Sequence, residues 1–100
     1  MPAKIQFNSV AEKCSERKIV YSDIDLNQHV SNIKYTEWFL DTYDFDFLST
    51  NIIDELEMNF LSECRYGEEV SIYKDTSSKY MHYGYIARIN DNKEVFKIRI

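Results

Sequence analysis

Five side chains in this chain are of the types that act together on an electrophilic carbonyl. Asp25, Asn27 and His29 alternate through the run Asp25-Leu26-Asn27-Gln28-His29, and Glu63 and Cys64 follow later as neighbours. Between them they offer a thiol, an imidazole, an amide and two carboxylates. Acyl transfer needs a nucleophile, a base to activate it and donors for the developing oxyanion. Two routes are open. In one, His29 takes the proton of the Cys64 thiol, Asn27 orients the imidazole, and the thiolate attacks. In the other, Glu63 or Asp25 activates a water and Cys64 is secondary. Singly, each residue has a plain reading: a buried Cys as a small hydrophobe, Asp and Asn as turn formers, His29 as a satisfied turn or core histidine, Glu63 as a solvated carboxylate. Only the combination points to chemistry.

These residues must be positioned by the elements around them. Arg17-Lys18-Ile19-Val20-Tyr21 is rich in β-branched and aromatic residues and predicts a strand. The polar stretch from Ser22 to Val30 predicts a loop; if it is extended, Asp25, Asn27 and His29 share one side. A helix follows, with Ser31 or Asn32 as N-cap. Lys34, Glu37, Asp41 and Asp44 form its narrow polar stripe. Ile33, Tyr35, Trp38, Phe39, Leu40 and Tyr43 fill most of the remaining circumference, so the helix is expected to be wrapped. The stretch Tyr43 to Leu48 is expected to end it.

The period then changes to two. Leu56, Met58 and Phe60 alternate with polar residues; Val70 and Ile72, then Met81, Tyr83, Tyr85, Ala87 and Ile89, then Phe96, Ile98 and Ile100 continue the pattern. Tyr66-Gly67-Glu68 and Asn90-Asp91-Asn92 supply turns. Short turns make antiparallel neighbours. The expected fold is α+β: one long helix wrapped by a curved antiparallel sheet of about five strands, forming a single domain over residues 1–100, with 1–10 as a linker or lead-in. One constraint arises in advance. On a regular strand Cys64 shares a face with Met58 and Phe60 while Glu63 points the other way, so both reach one site only if the strand end bends or bulges.

The chain has 100 residues and a net charge of -5, which disfavours nucleic acid. An acidic partner would need a local basic patch, for which Lys74, Lys79, Arg88, Lys97 and Arg99 are candidates beside their plain reading as solvated charges. Asp23-x-Asp25-x-Asn27 imitates the start of a calcium loop, but Gln28 replaces the required Gly and Lys34 the bidentate Glu. His29, His82, Cys14 and Cys64 have no zinc spacing, so neither metal nor cofactor is expected. No apolar run is long enough to span a bilayer, and two distant cysteines fit free thiols in a reducing cytoplasm. Tyr80, Tyr83 and Tyr85 could line an acyl path or simply pack the sheet.

The segment YSDIDLNQHVSNIKYTEWFLD (Tyr21 to Asp41) resembles the signature of acyl-acyl-carrier-protein thioesterases of the plant FatA/FatB and bacterial type. LEMNFLSECRYGEEV (Leu56 to Val70) looks like the second motif of that family, with its Glu-Cys pair. Ser31 stands where the family usually has Asn. The likeness covers residues 17 to 73 and implies a hotdog fold, specifically the second of two tandem hotdog domains. It implies Asp25, Asn27, His29, Glu63 and Cys64 as the catalytic network, with Ser31, Asn32, Tyr35 and Trp38 on the substrate side. The implied reaction is hydrolysis of an acyl thioester on acyl-carrier protein, in fatty acid biosynthesis, with a homodimer standing in for the tandem pair. Two alternatives stay open: a single-hotdog acyl-CoA thioesterase using Asp25 as acid/base, and a truncated acyl-binding or dimerisation domain without turnover.

Overall fold

The computed structural model describes residues 11–51, 56–78 and 81–100. In chain order the elements are strand β1 (Glu12–Lys18), a 3-10 turn (Tyr21–Asp23), helices α1 (Asn32–Leu40) and α2 (Phe45–Thr50), then strands β2 (Glu57–Phe60), β3 (Glu69–Asp75), β4 (Tyr83–Arg88) and β5 (Lys93–Arg99). The expected lead-in at 1–10, and with it Tyr80 and Lys79, lies outside the described residues.

The strands form one antiparallel sheet in the order β1-β3-β4-β5-β2. Strands β3, β4 and β5 are sequential neighbours, as short turns require. Strand β2 is not adjacent to β3. It pairs with β5, Met58 opposite Ile98 and Phe60 opposite Phe96, so the chain crosses the sheet between Phe60 and Glu69. That crossing segment carries Glu63 and Cys64.

Helix α1 packs on β3 and β4. Its buried residues are Tyr35, Trp38 and Phe39, one helical turn apart and on one face. Tyr35 stacks on Phe96 at a centroid distance of 5.5 Å and meets Trp38 edge-on, also at 5.5 Å. The apolar ring expected around the helix is thus divided, because Ile33 lies on the opposite side and is 65% exposed. The helix is laid on the sheet by one face.

Three further expectations are corrected. The first strand is Glu12–Lys18 and stops before the predicted Val20 and Tyr21. The cause is Asp23, whose carboxylate accepts the Val20 amide at 3.0 Å and draws the chain into a turn. The Tyr43–Leu48 stretch does not simply end α1 but starts α2, with Phe47 stacked on Tyr43 at 5.0 Å. On β4 the face is inverted: Gly84 and Ile86 are buried, while Tyr83 and Tyr85 lie on the other side, where Tyr85 stacks on Tyr73 at 4.5 Å. An irregularity between Ile86 and Ala87 then lets Ala87 be buried as well.

The α2 end of the molecule is held by a ring cluster. The Tyr43 hydroxyl meets His82 Nδ1 at 2.8 Å, Phe47 lies parallel to the imidazole, and Lys74 Nζ sits 4.0 Å from the Tyr43 ring centre while donating to the Thr42 carbonyl. Burial, with the Lys74 charge adding to it, lowers the His82 pKa below its ordinary 6.5. The neutral imidazole is therefore the folded form, and the unfolded chain binds the proton more readily. Stability is fully present above about pH 6.5 and falls as pH drops through that value. Melting curves at descending pH should show this loss in the wild type, and it should be smaller in His82→Gln; identical slopes would exclude His82 as the cause.

Candidate functional site

The segment bearing Asp25, Asn27 and His29 is a closed turn, not an extended loop. An isolated bridge joins Ile24 to Val30, the Asp25 amide donates to the His29 carbonyl at 3.0 Å, and the Gln28 amide donates to the Asp25 carbonyl at 3.0 Å. Gln28 takes a left-handed conformation with φ 66 to complete it. One oxygen of Asp25 accepts the amides of Asn27 at 2.9 Å and His29 at 3.4 Å. The three polar side chains converge because the turn folds them together, where simple alternation was expected.

A carboxylate behind the turn holds it in place. Asp23 is 2% exposed and takes two contacts from Arg17 Nη2, at 3.2 and 3.3 Å. The Asp23 carbonyl accepts the Ser31 amide at 3.1 Å, and the Arg17 guanidinium lies 4.7 Å from the Trp38 ring centre. A buried charge with a cationic partner and a backbone donor ties β1, the turn and α1 to one another. Sequence reasoning met Asp23 as a turn-forming residue of the Ser22–Val30 loop and as part of a false calcium pattern, not as a buried anchor. Its one available signal was a short carboxylate between apolar Val20 and Ile24 that favours local backbone bonds.

Asp25, Asn27, His29, Ser31, Asn32, Tyr35 and Glu63 line one open cleft of about 610 Å³, together with apolar Phe60 and Leu61. Across it, His29 Nε2 faces Glu63 Oε2 at 3.2 Å. A carboxylate in contact with an imidazole can fix its orientation and hold a proton with it. Ser31 occupies the N-cap position of α1, but its side chain makes no capping bond; its backbone is engaged instead with Asp23.

Cys64 and Trp38 do not line this cleft. Cys64 is fully buried, its amide donating to the Tyr35 hydroxyl at 3.2 Å and its carbonyl accepting the Val30 amide at 3.1 Å. Glu63 is exposed and Cys64 buried, but not by strand alternation: β2 ends at Phe60, itself 44% exposed, so no regular strand reaches Cys64, and backbone bonds to Tyr35 and Val30 hold it inside. Burial raises the thiol pKa, with the Tyr35 hydroxyl partly opposing it, so the protonated form dominates at neutral pH. Trp38 serves as packing under Arg17. The five cations considered as a docking patch are occupied or outside the described residues. Lys74 is spent on Thr42 and Tyr43, Lys97 is 8% exposed beside Glu94, Arg99 pairs with Glu57, and Arg88 pairs with Asp91.

A second open cleft, about 960 Å³, lies on the other side of the same turn, between Tyr21, Leu26, Arg65 and Tyr66. The turn bearing Asp25, Asn27 and His29 thus forms the wall between two depressions.

A five-stranded antiparallel sheet with one helix laid on it, and a polar turn beside that helix's N-terminus, is the layer found in the thioesterases that this chain matches. Residues 8–100 match the acyl-ACP thioesterase C-terminal domain, and the chain belongs to that family. The structure is similar to an acyl-ACP thioesterase from Bacteroides thetaiotaomicron, with a TM-score of 0.88 and 28% identity, covering 99% of this chain and 40% of that one. It also shares its fold with the 12:0-ACP thioesterase of Umbellularia californica, at a TM-score of 0.81 and 21% identity, over 99% of this chain and 38% of that one. In sequence it is 26% identical over 83 residues to the chloroplastic acyl-[acyl-carrier-protein] hydrolase FATB1 of Cuphea viscosissima, 79% of this chain and 20% of that protein. The chain therefore spans about a fifth of that relative and about two fifths of these two solved chains. The architecture is the hotdog arrangement that the sequence resemblance implied.

Proposed function

We propose that this domain hydrolyses a fatty-acyl thioester carried on acyl-carrier protein, releasing the free fatty acid and the carrier thiol. The observation that carries this reading is the Glu63–His29 contact of 3.2 Å, set in a cleft shared with Asp25 and Asn27. In the mechanism, Glu63 and His29 hold a water and take its proton as its oxygen attacks the thioester carbonyl; the leaving thiolate is then protonated from the same pair. Asp25 keeps the turn in shape through its backbone bonds and places a negative charge at the cleft. Asn27 supplies an amide for orienting the water or the carbonyl. Ser31, Asn32 and Tyr35 form the substrate side, where the start of α1 can face the developing oxyanion. Cys64 and Trp38 act as support in this scheme. The buried thiol with its raised pKa argues against the thiolate route.

The partner is acyl-carrier protein or, with the same phosphopantetheine arm, acyl-CoA, and the working form is a homodimer in which the second copy stands beside the helix-bearing half. The setting is a reducing, cytoplasm-like compartment. Both cysteines are free, and among the described residues no helix is long and apolar enough to cross a membrane.

The test is hydrolysis of a long-chain acyl-carrier-protein and of the matching acyl-CoA by the purified 100-residue chain. Its sedimentation should be followed at the assay concentration. Faster turnover of the carrier-protein thioester by a dimer is expected. Equal inertness toward both substrates would leave a folded domain without turnover.

A further inference from the structure

Arg88 closes β4 and reads in the sequence as one more surface cation. In the fold its side chain is only 14% exposed, and all three of its nitrogens are committed. Nε donates to both oxygens of Asp91 at 3.0 and 3.1 Å, and Nη2 donates to Asp91 Oδ2 at 2.8 Å. Nη1 is directed elsewhere and donates to the backbone carbonyl of Glu63 at 2.8 Å. Asp91 is itself fixed, because its Oδ1 also accepts the Lys93 amide at 3.1 Å within the β4–β5 turn. Glu68 adds a longer contact at 3.8 Å to Nε and accepts the Arg65 amide at 2.6 Å.

The same peptide is held from the other side. The Cys64 amide donates to Tyr35 on α1, and the Cys64 carbonyl accepts Val30 from the polar turn. The carbonyl and the amide of one peptide unit, Glu63–Cys64, are thus gripped by β4 on one side and by α1 on the other. Glu63 itself is 68% exposed and has three side-chain torsions. Without a fixed origin its carboxylate would spread over solvent, at a cost in productive orientation.

We propose that Arg88 is a positioning residue: anchored on Asp91, it fixes the Glu63 backbone so that the Glu63 carboxylate meets His29 across the cleft. The turn Asn90-Asp91-Asn92 is then part of the site's support. A guanidinium suits this task because its planar fork can face a carboxylate and still direct another N–H to a carbonyl; an ammonium cannot do both. The kinetic arm of the test rests on the hydrolase reading above, and the spectroscopic arm does not.

Arg88→Lys and Glu63→Gln variants, with the double variant, are compared with the wild type. The spectroscopic arm reads the Cys64 amide nitrogen shift, which belongs to the same peptide as the Glu63 carbonyl, and the His29 ring proton shifts. Arg88→Lys should move both. Glu63→Gln should move the His29 ring signals in the same direction. Ring signals that stay at wild-type positions in a folded Arg88→Lys protein overturn the proposal. Should Arg88→Lys fail to fold, Asp91→Asn replaces it, since the amide oxygen still accepts Lys93 while the charge gripping Arg88 is gone. In the kinetic arm, Arg88→Lys should lower kcat by ~10–100-fold with KM within about twofold. That loss should shrink to within about threefold in the Glu63→Gln background, since the two residues act as one unit. An equal loss in both backgrounds assigns Arg88 a merely structural role. If the wild type hydrolyses neither substrate, the hydrolase reading falls and the ring signals alone decide the role of Arg88.

Discussion

Cys64→Ala is expected to keep thioester hydrolysis within about threefold of wild type, while Glu63→Gln and Asp25→Asn each lose ~10²–10⁴-fold in kcat/KM. The asymmetry follows from where the fold puts the groups. Glu63 faces His29 at 3.2 Å in the cleft, whereas the Cys64 sulfur belongs to a fully buried side chain that does not line it. Burial also raises the thiol pKa, which removes the thiolate that nucleophilic attack requires. The Asp25 substitution is informative because asparagine keeps an oxygen able to accept the Asn27 and His29 amides. The turn therefore keeps its shape and only the charge is lost. Glutamine at 63 likewise retains size and polarity but cannot take a proton. Initial rates on a long-chain acyl thioester, well below the melting temperature of each variant, decide the matter. A Cys64→Ala loss as deep as that of Glu63→Gln would return the reaction to the thiolate route.

The second large effect concerns stability. Gly84→Ala should destabilise the fold by ~3 kcal/mol, read as a lower denaturant midpoint. A methyl group on Gly84 would stand 2.0 Å from one Phe39 ring carbon and 2.4 Å from the next, far inside contact distance. Phe39 is fully buried where α1 meets the sheet, and in a close-packed interior its ring can move only by disturbing its neighbours. The helix would have to lift from β4. That motion would reach the site, because α1 begins where the polar turn ends. Gly67→Ala is the contrasting case: its methyl meets nothing within 4 Å, and only the left-handed φ of +86 opposes it, costing about 1 kcal/mol. Adding Phe39→Leu to Gly84→Ala should recover part of the loss, since the two changes relieve the same contact. A Gly84→Ala protein as stable as the wild type would mean that α1 seats on the sheet differently.

Much of this arrangement was legible before folding. The helical spacing placed Tyr35, Trp38 and Phe39 among the apolar positions of α1, without separating them from exposed Ile33, and the alternation of Val70 with Ile72 and of Phe96 with Ile98 named core-facing strand positions. The turns at Gly67 and at Asn90–Asn92 also stand where their residue types placed them, with Gly67 and Asn92 at positive φ. These features depend on a residue and its near neighbours, and local chain geometry is written in residue type.

What remained undecided was everything that needs a distant partner. An alternating strand offers two faces, and the aromatic alternation of β4 pointed to Tyr83 and Tyr85 over Gly84 and Ile86. Phe39 reverses the choice, because only the glycine leaves room for its ring. Asp23 and Arg88 look like surface charges in the sequence. They become structural because Arg17 and the Ser31 amide reach one, and Asp91 and the Glu63 carbonyl reach the other. The strand order β1-β3-β4-β5-β2 likewise depends on β2 choosing β5 over its sequence neighbour. Periodicity fixes which side of an element is apolar or polar, but the free energy that selects a partner is a sum over contacts between segments far apart in the chain. The residue types for the chemistry, and the family that carries them, could be read from the order of amino acids; which of those groups share the cleft was decided by tertiary packing.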